Sequence, residues 1–275
     1  MNKLTACLSA ALLCAAGAML PTHAQAQDAR AGERWEFAAS VYLWFPSLGG
    51  QSVYPPSTGG SSISIDVGDI LENLHFAFMG TFEARRGAWG VFSDLVYMDI
   101  GAGRTDTRSF EIGGVALPAD VSADTHLDMV GGAWSLGGSW RAISTPAYAL
   151  DLVGGARLLD IENTLRWTLR GNVGAIPLPD RAGERSARLE NWDAFVGAKG
   201  RYRFGDDRRW FVPWYVDVGA GDSELTTQAM AGVGYTFAWG DAMAGWRYVG
   251  YRFKSGGAFE ELSFNGAMAS AVFRW

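Results

Sequence analysis

From Arg34 to Trp275 one rhythm dominates the chain: apolar and polar side chains alternate residue by residue, in run after run, with little 3.6-residue periodicity. Strict alternation puts successive side chains on opposite faces of an extended backbone, so it specifies strands rather than helices. Ten runs carry it: 34–46, 73–86, 89–102, 126–141, 147–162, 189–204, 209–220, 225–239, 242–254 and 262–275. The chain therefore reads as all-β.

The face opposite the apolar one is charged, not merely polar. In 189–204, Asp193, Lys199, Arg201 and Arg203 share one parity, while Trp192, Ala194, Val196, Ala198, Tyr202 and Phe204 share the other. In 147–162, Asp151 and Arg157 oppose Tyr148, Leu150, Leu152, Ala156 and Leu158. Asp217 and Tyr215 oppose Trp210, Val212, Trp214, Val216 and Val218; His75, Glu83 and Arg85 oppose Phe76, Phe78 and Phe82. In the last run Trp275, Phe273, Ala271, Ala269 and Ala267 make the apolar face, whereas the glycine-rich run 126–141 does not declare its faces. A secreted soluble sandwich would show the same alternation with its apolar face turned inward. It has no reason to gather tryptophans at strand ends. Six of the twelve, Trp35, Trp89, Trp140, Trp210, Trp239 and Trp275, each begin or end a run beside a tight turn. That is the placement of an aromatic girdle at a membrane interface.

Past the N-terminal segment no stretch approaches the roughly 20 apolar residues of a spanning helix. A membrane chain without such helices must be a closed antiparallel transmembrane barrel, because only helices and closed sheets satisfy their backbone groups in lipid. The connections alternate in length: 86–88, 142–146, 205–208 and 240–241 are short, 47–72, 103–125 and 163–188 are long, and 221–224 and 255–261 are modest. Short turns on one side and long loops on the other are the asymmetry of bacterial outer-membrane barrels, and an even strand number puts both termini at the periplasmic rim. About ten strands are expected. Eight or twelve stay open, since 62–67 and 165–169 also alternate, either as hairpin extensions above the membrane or as further strands.

Residues 1–26 read as an export signal, leaving 27–275 as one barrel domain. Lys3 supplies the basic start, Thr5 to Leu20 the apolar stretch, and Ala24-Gln25-Ala26 a cleavage site. Cys14 as a lipidated residue is disfavoured by Leu13, which stands where a small residue is wanted. Both cysteines, Cys7 and Cys14, fall inside this segment. A mature chain would then carry no disulfide, cysteine nucleophile or thiolate metal site. Cleavage would remove one of 23 basic residues and none of 29 acidic ones, moving the net charge from −6 to −7. With no basic run, nucleic acid is excluded as a partner.

The C-terminal third carries a resemblance. Phe211 to Gly219, Gly221-Asp222-Ser223, Gln228 to Tyr235, Trp239-Gly240-Asp241 and Trp246-Arg247-Tyr248, with Leu74 to Gly80, Trp89-Gly90 and Asp94 to Tyr97 further back, resemble a largely uncharacterised group of proteobacterial outer-membrane β-barrel proteins of the small porin-like kind. The motifs are structural: glycines, aromatics and turn residues. The resemblance implies the fold and a bacterial outer-membrane location, with lipid and lipopolysaccharide as surroundings, and no catalytic activity. Val272-Phe273-Arg274-Trp275 also resembles the terminal signal by which the barrel-assembly machinery recognises its clients, although that signal more often ends in Phe.

Chemistry is expected in the lumen. The inward positions carry five acids, Glu83, Asp94, Asp151, Asp193 and Asp217, and five bases, Arg85, Arg157, Lys199, Arg201 and Arg247. A barrel of this size is largely filled by side chains, and ions inside must pair. The ten groups are thus expected to form either a stiffening plug or a narrow porin-like passage for small solutes. No enzyme, cofactor or metal is expected. The alternative is a barrel enzyme acting on envelope lipid or peptide through His126, with Asp124 and Asp128 beside it and Ser122 just before; the His-x-Ser pattern of lipid-A deacylases and a G-x-S-x-G elbow are both absent. Asp66, Asp69 and Glu72 make an acidic cluster whose spacing is not an EF-hand loop. The long loops, with Pro55-Pro56 and Gly59-Gly60, are candidate surfaces for a ligand or a host.

Overall fold

The computed structural model describes residues 34–52, 61–112, 115–173, 176–177, 181–255 and 259–275. The export signal, both cysteines and the Pro55-Pro56 and Gly59-Gly60 pairs lie outside the described residues. In chain order the strands are β1 (Trp35–Ser52), β2 (Ser61–Ile65), β3 (Leu74–Arg86), β4 (Trp89–Ile112), β5 (Val115–Ser144), β6 (Tyr148–Val173), β7 (Ile176–Pro177), β8 (Arg181–Phe204), β9 (Trp210–Gly221), β10 (Ser223–Thr236), β11 (Asp241–Phe253) and β12 (Phe259–Arg274). One short helix among the described residues, α1 (Val67–Glu72), lies between β2 and β3.

Ten strands form a ring in which each pairs antiparallel with its sequence neighbours, and β12 returns to β1 to close it. The short β2 and β7 hang on β1 and β6. The seam runs from Ala38↔Arg274 to Ser52↔Phe259, and it is locked at its end by reciprocal bonds between the backbones of Phe37 and Trp275, at 2.9 and 3.1 Å. Among the described residues, closure leaves the ten-strand ring no sheet edge where it crosses lipid, the requirement for a spanning sheet. The short turns are built for reversal: Gly87 takes φ 60° between β3 and β4, a backbone region that costs glycine nothing.

The outer face is apolar and bare. Val196 is 66 % exposed, and Val41, Leu43, Phe78, Leu136, Leu152 and Val216 are likewise uncovered, an arrangement that only lipid makes favourable. The six rim tryptophans are all exposed. Around part of the short-turn rim the rings Trp210, Tyr235, Phe237, Trp239 and Phe273 touch in succession, with centroids 4.8–5.6 Å apart. A second aromatic level lies higher. Leu95, Trp134, Leu158 and Trp192 stand in one hydrogen-bonded row across β4, β5, β6 and β8. One step further the row reads Tyr97, Gly132, Asp160, Glu190, and a second step gives Asp99, Val130, Glu162, Arg188. The wall passes from grease to charge within two steps, which marks the end of the hydrocarbon band.

Beyond that line β4, β5, β6 and β8 continue as long hairpins, so most of 103–125 and 163–188 is strand rather than loop. These are extensions of ring strands, not additional ones. The run 126–141 now shows its faces: Ser135 and Ser139 are buried in the lumen, and Trp134, Leu136 and Trp140 point outward. His75 departs from the expected inward parity. A bulge between Leu74 and Phe76 inserts it as an unpaired residue, and its ring turns outward to lie 3.6 Å from Asp99.

Candidate functional site in the barrel lumen

The lumen is layered. Near the short-turn rim Arg85 on β3 donates to Glu83 at 2.9 Å and to Asp151 on β6 at 2.5 Å, and Asp151 also accepts from Arg141 on β5. Lys199 on β8 reaches Glu83 at 2.5 Å, and Arg201 on β8 reaches Asp241 on β11 at 2.7 Å, where Arg274 and Thr236 also bind. At mid-height Arg247 on β11 donates to Asp94 on β4 at 2.7 Å and to the hydroxyl of Tyr42 on β1 at 2.8 Å. Arg157 on β6 forks onto both oxygens of Asp217 on β9, at 2.5 and 3.2 Å, with its Nε donating to Ser135. Aromatic rings complete the packing: Arg157 lies over Phe195, Lys199 over Phe92 and Arg247 over Trp44.

Two of these pairs cross the bore. β11 and β4 stand four places apart in the ring of ten, as do β8 and β3, so Arg247–Asp94 and Lys199–Glu83 are struts between facing walls. Every charge in these pairs has an opposite charge within hydrogen-bonding reach, the condition under which ions persist in a low-dielectric interior. Above the struts the lining turns apolar, with Leu159, Val96, Val249 and Met98 around the axis. Below them a vestibule of about 670 Å³ opens toward the short-turn rim.

All ten candidate lumen charges face inward, and nine sit in the ion pairs above. Asp193 is the exception: it accepts from Asn191 at 2.6 Å and from the Ser223 amide at 2.8 Å, and it holds the β8–β9–β10 corner rather than a base. Tyr42, Arg141, Asp241, Arg274 and Ser135 complete the network without having been singled out from the sequence. Tyr42 was detectable by its parity against Val41 and Leu43; Arg141 was hidden by the run whose faces glycine obscured.

The histidines lie elsewhere, on the outer wall of the long hairpins. His126 Nε2 is 3.0 Å from Asp128 Oδ1, and His75 lies close by, its ring in the space that a β-carbon at Gly101 would fill. Asp128 also accepts from Arg166, which holds Glu184 at 3.0 Å, and Asp160 pairs with Arg188. The hydrogen bond to Glu184, followed by the charge of Asp128, holds the Arg166 guanidinium above its ordinary range. Asp124 accepts from Arg170, and the side chain of Ser122 lies outside the described residues. The acidic trio of the first loop is split by α1: Asp66 precedes the helix, Asp69 falls in its first turn and Glu72 ends it. Among the described residues no group of three or more metal-ligating side chains converges.

This architecture is that of a bacterial outer-membrane β-barrel. The outer-membrane protease OmpT of Escherichia coli is similar in structure, with a TM-score of 0.53 at 12 % identity, over 88 % of this chain and 97 % of that one. The attachment invasion locus protein Ail of Yersinia pestis matches at 9 % identity over 88 % of this chain and 99 % of its own, and a Pseudomonas aeruginosa FadL homologue at 10 % over 88 % and 90 %. Their TM-scores are 0.29 and 0.28. At such identities the likeness concerns fold alone. No protein-family profile matches the chain, and no curated protein is detectably similar in sequence.

Proposed function

We propose that this chain is an integral outer-membrane protein whose bore is closed at rest by transverse ion pairs. Its role is structural or presented at its two rims, and any passage of small solutes requires the struts to part. The observation that carries this reading is the pair of struts Arg247–Asp94 and Lys199–Glu83, each tying strands four places apart around the ring. Ten strands enclose little more than the side chains pointing inward, and wide aqueous channels belong to barrels of about 16 to 18 strands. In planar bilayers the refolded barrel is expected to show no steady current above baseline. The double variant Glu83→Gln/Asp94→Asn is expected to flicker open. A steady conductance from the unaltered protein would overturn the closed-bore reading.

A catalytic reading has one observation in its favour, the His126–Asp128 pair on the outer wall just above the hydrocarbon band. There it would meet lipid headgroups rather than a soluble substrate. Asp128 is shared with Arg166, which weakens it as an orienting partner for a general base. His126→Ala is expected to leave envelope lipid composition unchanged; an altered lipid-A profile by mass spectrometry would restore the enzyme.

A further inference from the structure

The vestibule below the struts, about 670 Å³, falls within the range of about 300 to 1,000 Å³ of small-molecule pockets. Its wall carries more positive charge than its own acids neutralise. Counting side chains, six bases line it, Arg85, Arg141, Lys199, Arg201, Arg203 and Arg274, against four acids, Glu36, Glu83, Asp151 and Asp241. Glu36 is exposed at the rim. Each of the other three is already shared by two bases: Glu83 by Arg85 and Lys199, Asp151 by Arg85 and Arg141, Asp241 by Arg201 and Arg274. The imbalance is sharpest around Asp241. Arg201 and Arg274 bind it, and Arg203, two residues further along β8, bears on Arg201 with a like charge, as Arg274 does. Arg203 makes no ion pair or side-chain hydrogen bond among the described residues. The backbone oxygen of Trp275 is taken by the Phe37 amide rather than by an arginine. These cations are reachable from the vestibule: the Arg274 side chain is 47 % exposed and Arg203 is half-buried.

Like charges gathered in a cleft with low-dielectric walls raise the local potential and draw in ions of the opposite sign. Three guanidinium groups against one carboxylate leave an excess of two positive charges at this corner. A phosphate monoester carries about −1.5 to −2 at neutral pH, which matches that excess. Planar guanidinium forks also fit phosphoryl oxygens, through paired N–H bonds. Arg203 keeps all its side-chain donors for such a group, and Arg274 gives only Nη1 to Asp241. A single carboxylate would neutralise one of the two charges, and chloride brings no oxygens to the forks. Beside the arginines, Phe211, Met230, Met243 and Val272 offer apolar surface to the organic part of an ester. We infer that this corner of the vestibule binds the dianionic phosphoryl group of a small phosphate monoester entering from the short-turn rim. The inference does not rest on the closed-bore reading, since the site lies on the near side of the struts and fills whether or not they part.

The test uses the refolded barrel in phosphatidylcholine nanodiscs, titrated calorimetrically with phenyl phosphate in low-salt, slightly alkaline buffer against empty nanodiscs. Saturable one-to-one binding is expected. Benzenesulfonate, with the same ring and a single charge, should bind about tenfold more weakly. Arg203→Gln removes a cation on which no carboxylate depends, so the barrel should fold and bind phenyl phosphate about tenfold more weakly. Arg274→Gln, which leaves Arg201 on Asp241, should weaken it similarly, while Arg188→Gln on the outer wall should bind as the unaltered protein does. Each variant is first checked for heat-modifiable migration on gels, the sign of a folded barrel. Phosphatidate in the bilayer, compared with an equal charge of phosphatidylglycerol, separates the two sources of a phosphoryl group. Unchanged affinity assigns a soluble ester, and displacement by phosphatidate overturns that assignment in favour of a lipid headgroup. The inference as a whole is overturned if no saturable heat appears, if both Arg203→Gln and Arg274→Gln bind unchanged, or if benzenesulfonate or chloride competes as well as phenyl phosphate, the mark of an adventitious ion only.

Discussion

The carboxylate of Asp217 faces the lumen at a level where the neighbouring strands offer it no water, and its side chain is fully covered. Arg157 meets both of its oxygens. Removing one partner of such a pair strands the other charge in the interior, at a cost of about 3–5 kcal/mol, whereas exchanging both for apolar groups of similar size is often neutral. Asp217→Ala is thus expected to destabilise the barrel by that amount in urea unfolding from vesicles, and Arg157→Met/Asp217→Leu to recover most of it. On the opposite face the sign of the argument reverses. Val196→Arg places an ion in the hydrocarbon band and is expected to cost about 2–4 kcal/mol, measured the same way. Side-chain parity made both positions legible from the sequence. His75 was not, because a bulge changes which face a residue serves without leaving a mark in the local pattern.

At the scale of the strand, the alternation reported where lipid is, not where the strand stops. β4 runs to Ile112 and β5 begins at Val115, yet the recognisable rhythm ends near Ala102 and resumes near His126. Past the row of Leu95, Trp134, Leu158 and Trp192 the outer face meets water, so charged residues such as Asp160 and Arg188 replace apolar ones while the ladder continues unbroken. A spanning strand needs only about 9–11 residues, and the rest of each hairpin stands free of the membrane. Replacing residues 104–125 with an Asn-Gly turn that joins Gly103 to His126, its registered partner, should leave a barrel that still migrates heat-modifiably on gels. Loss of folding would mean that the outer hairpin helps build the ring.

For the molecule as a whole, the struts and the outer ladder of charges respond differently to salt. Lumen pairs such as Arg157–Asp217 are shut away from mobile ions, while Arg166–Glu184 and Arg188–Asp160 are bathed in them. Raising salt from about 0.1 to 1 M shortens the Debye length from roughly 10 to 3 Å. The unfolding midpoint should hardly move, while protection of the long hairpins in hydrogen exchange should fall. The closed barrel was readable from the sequence because strand after strand, the glycine-rich run 126–141 apart, obeys the same two-faced pattern. The cross-lumen partners were not, because pairing between β11 and β4 or β8 and β3 depends on ring position, which no local pattern encodes.

The clasp between Phe37 and Trp275 joins the start of β1 to the residue that follows β12. The seam beside it pairs β1 with β12 from Ala38↔Arg274 to Ser52↔Phe259, and without that whole ladder the sheet would be a ribbon with two raw borders, each able to zip onto a stranger.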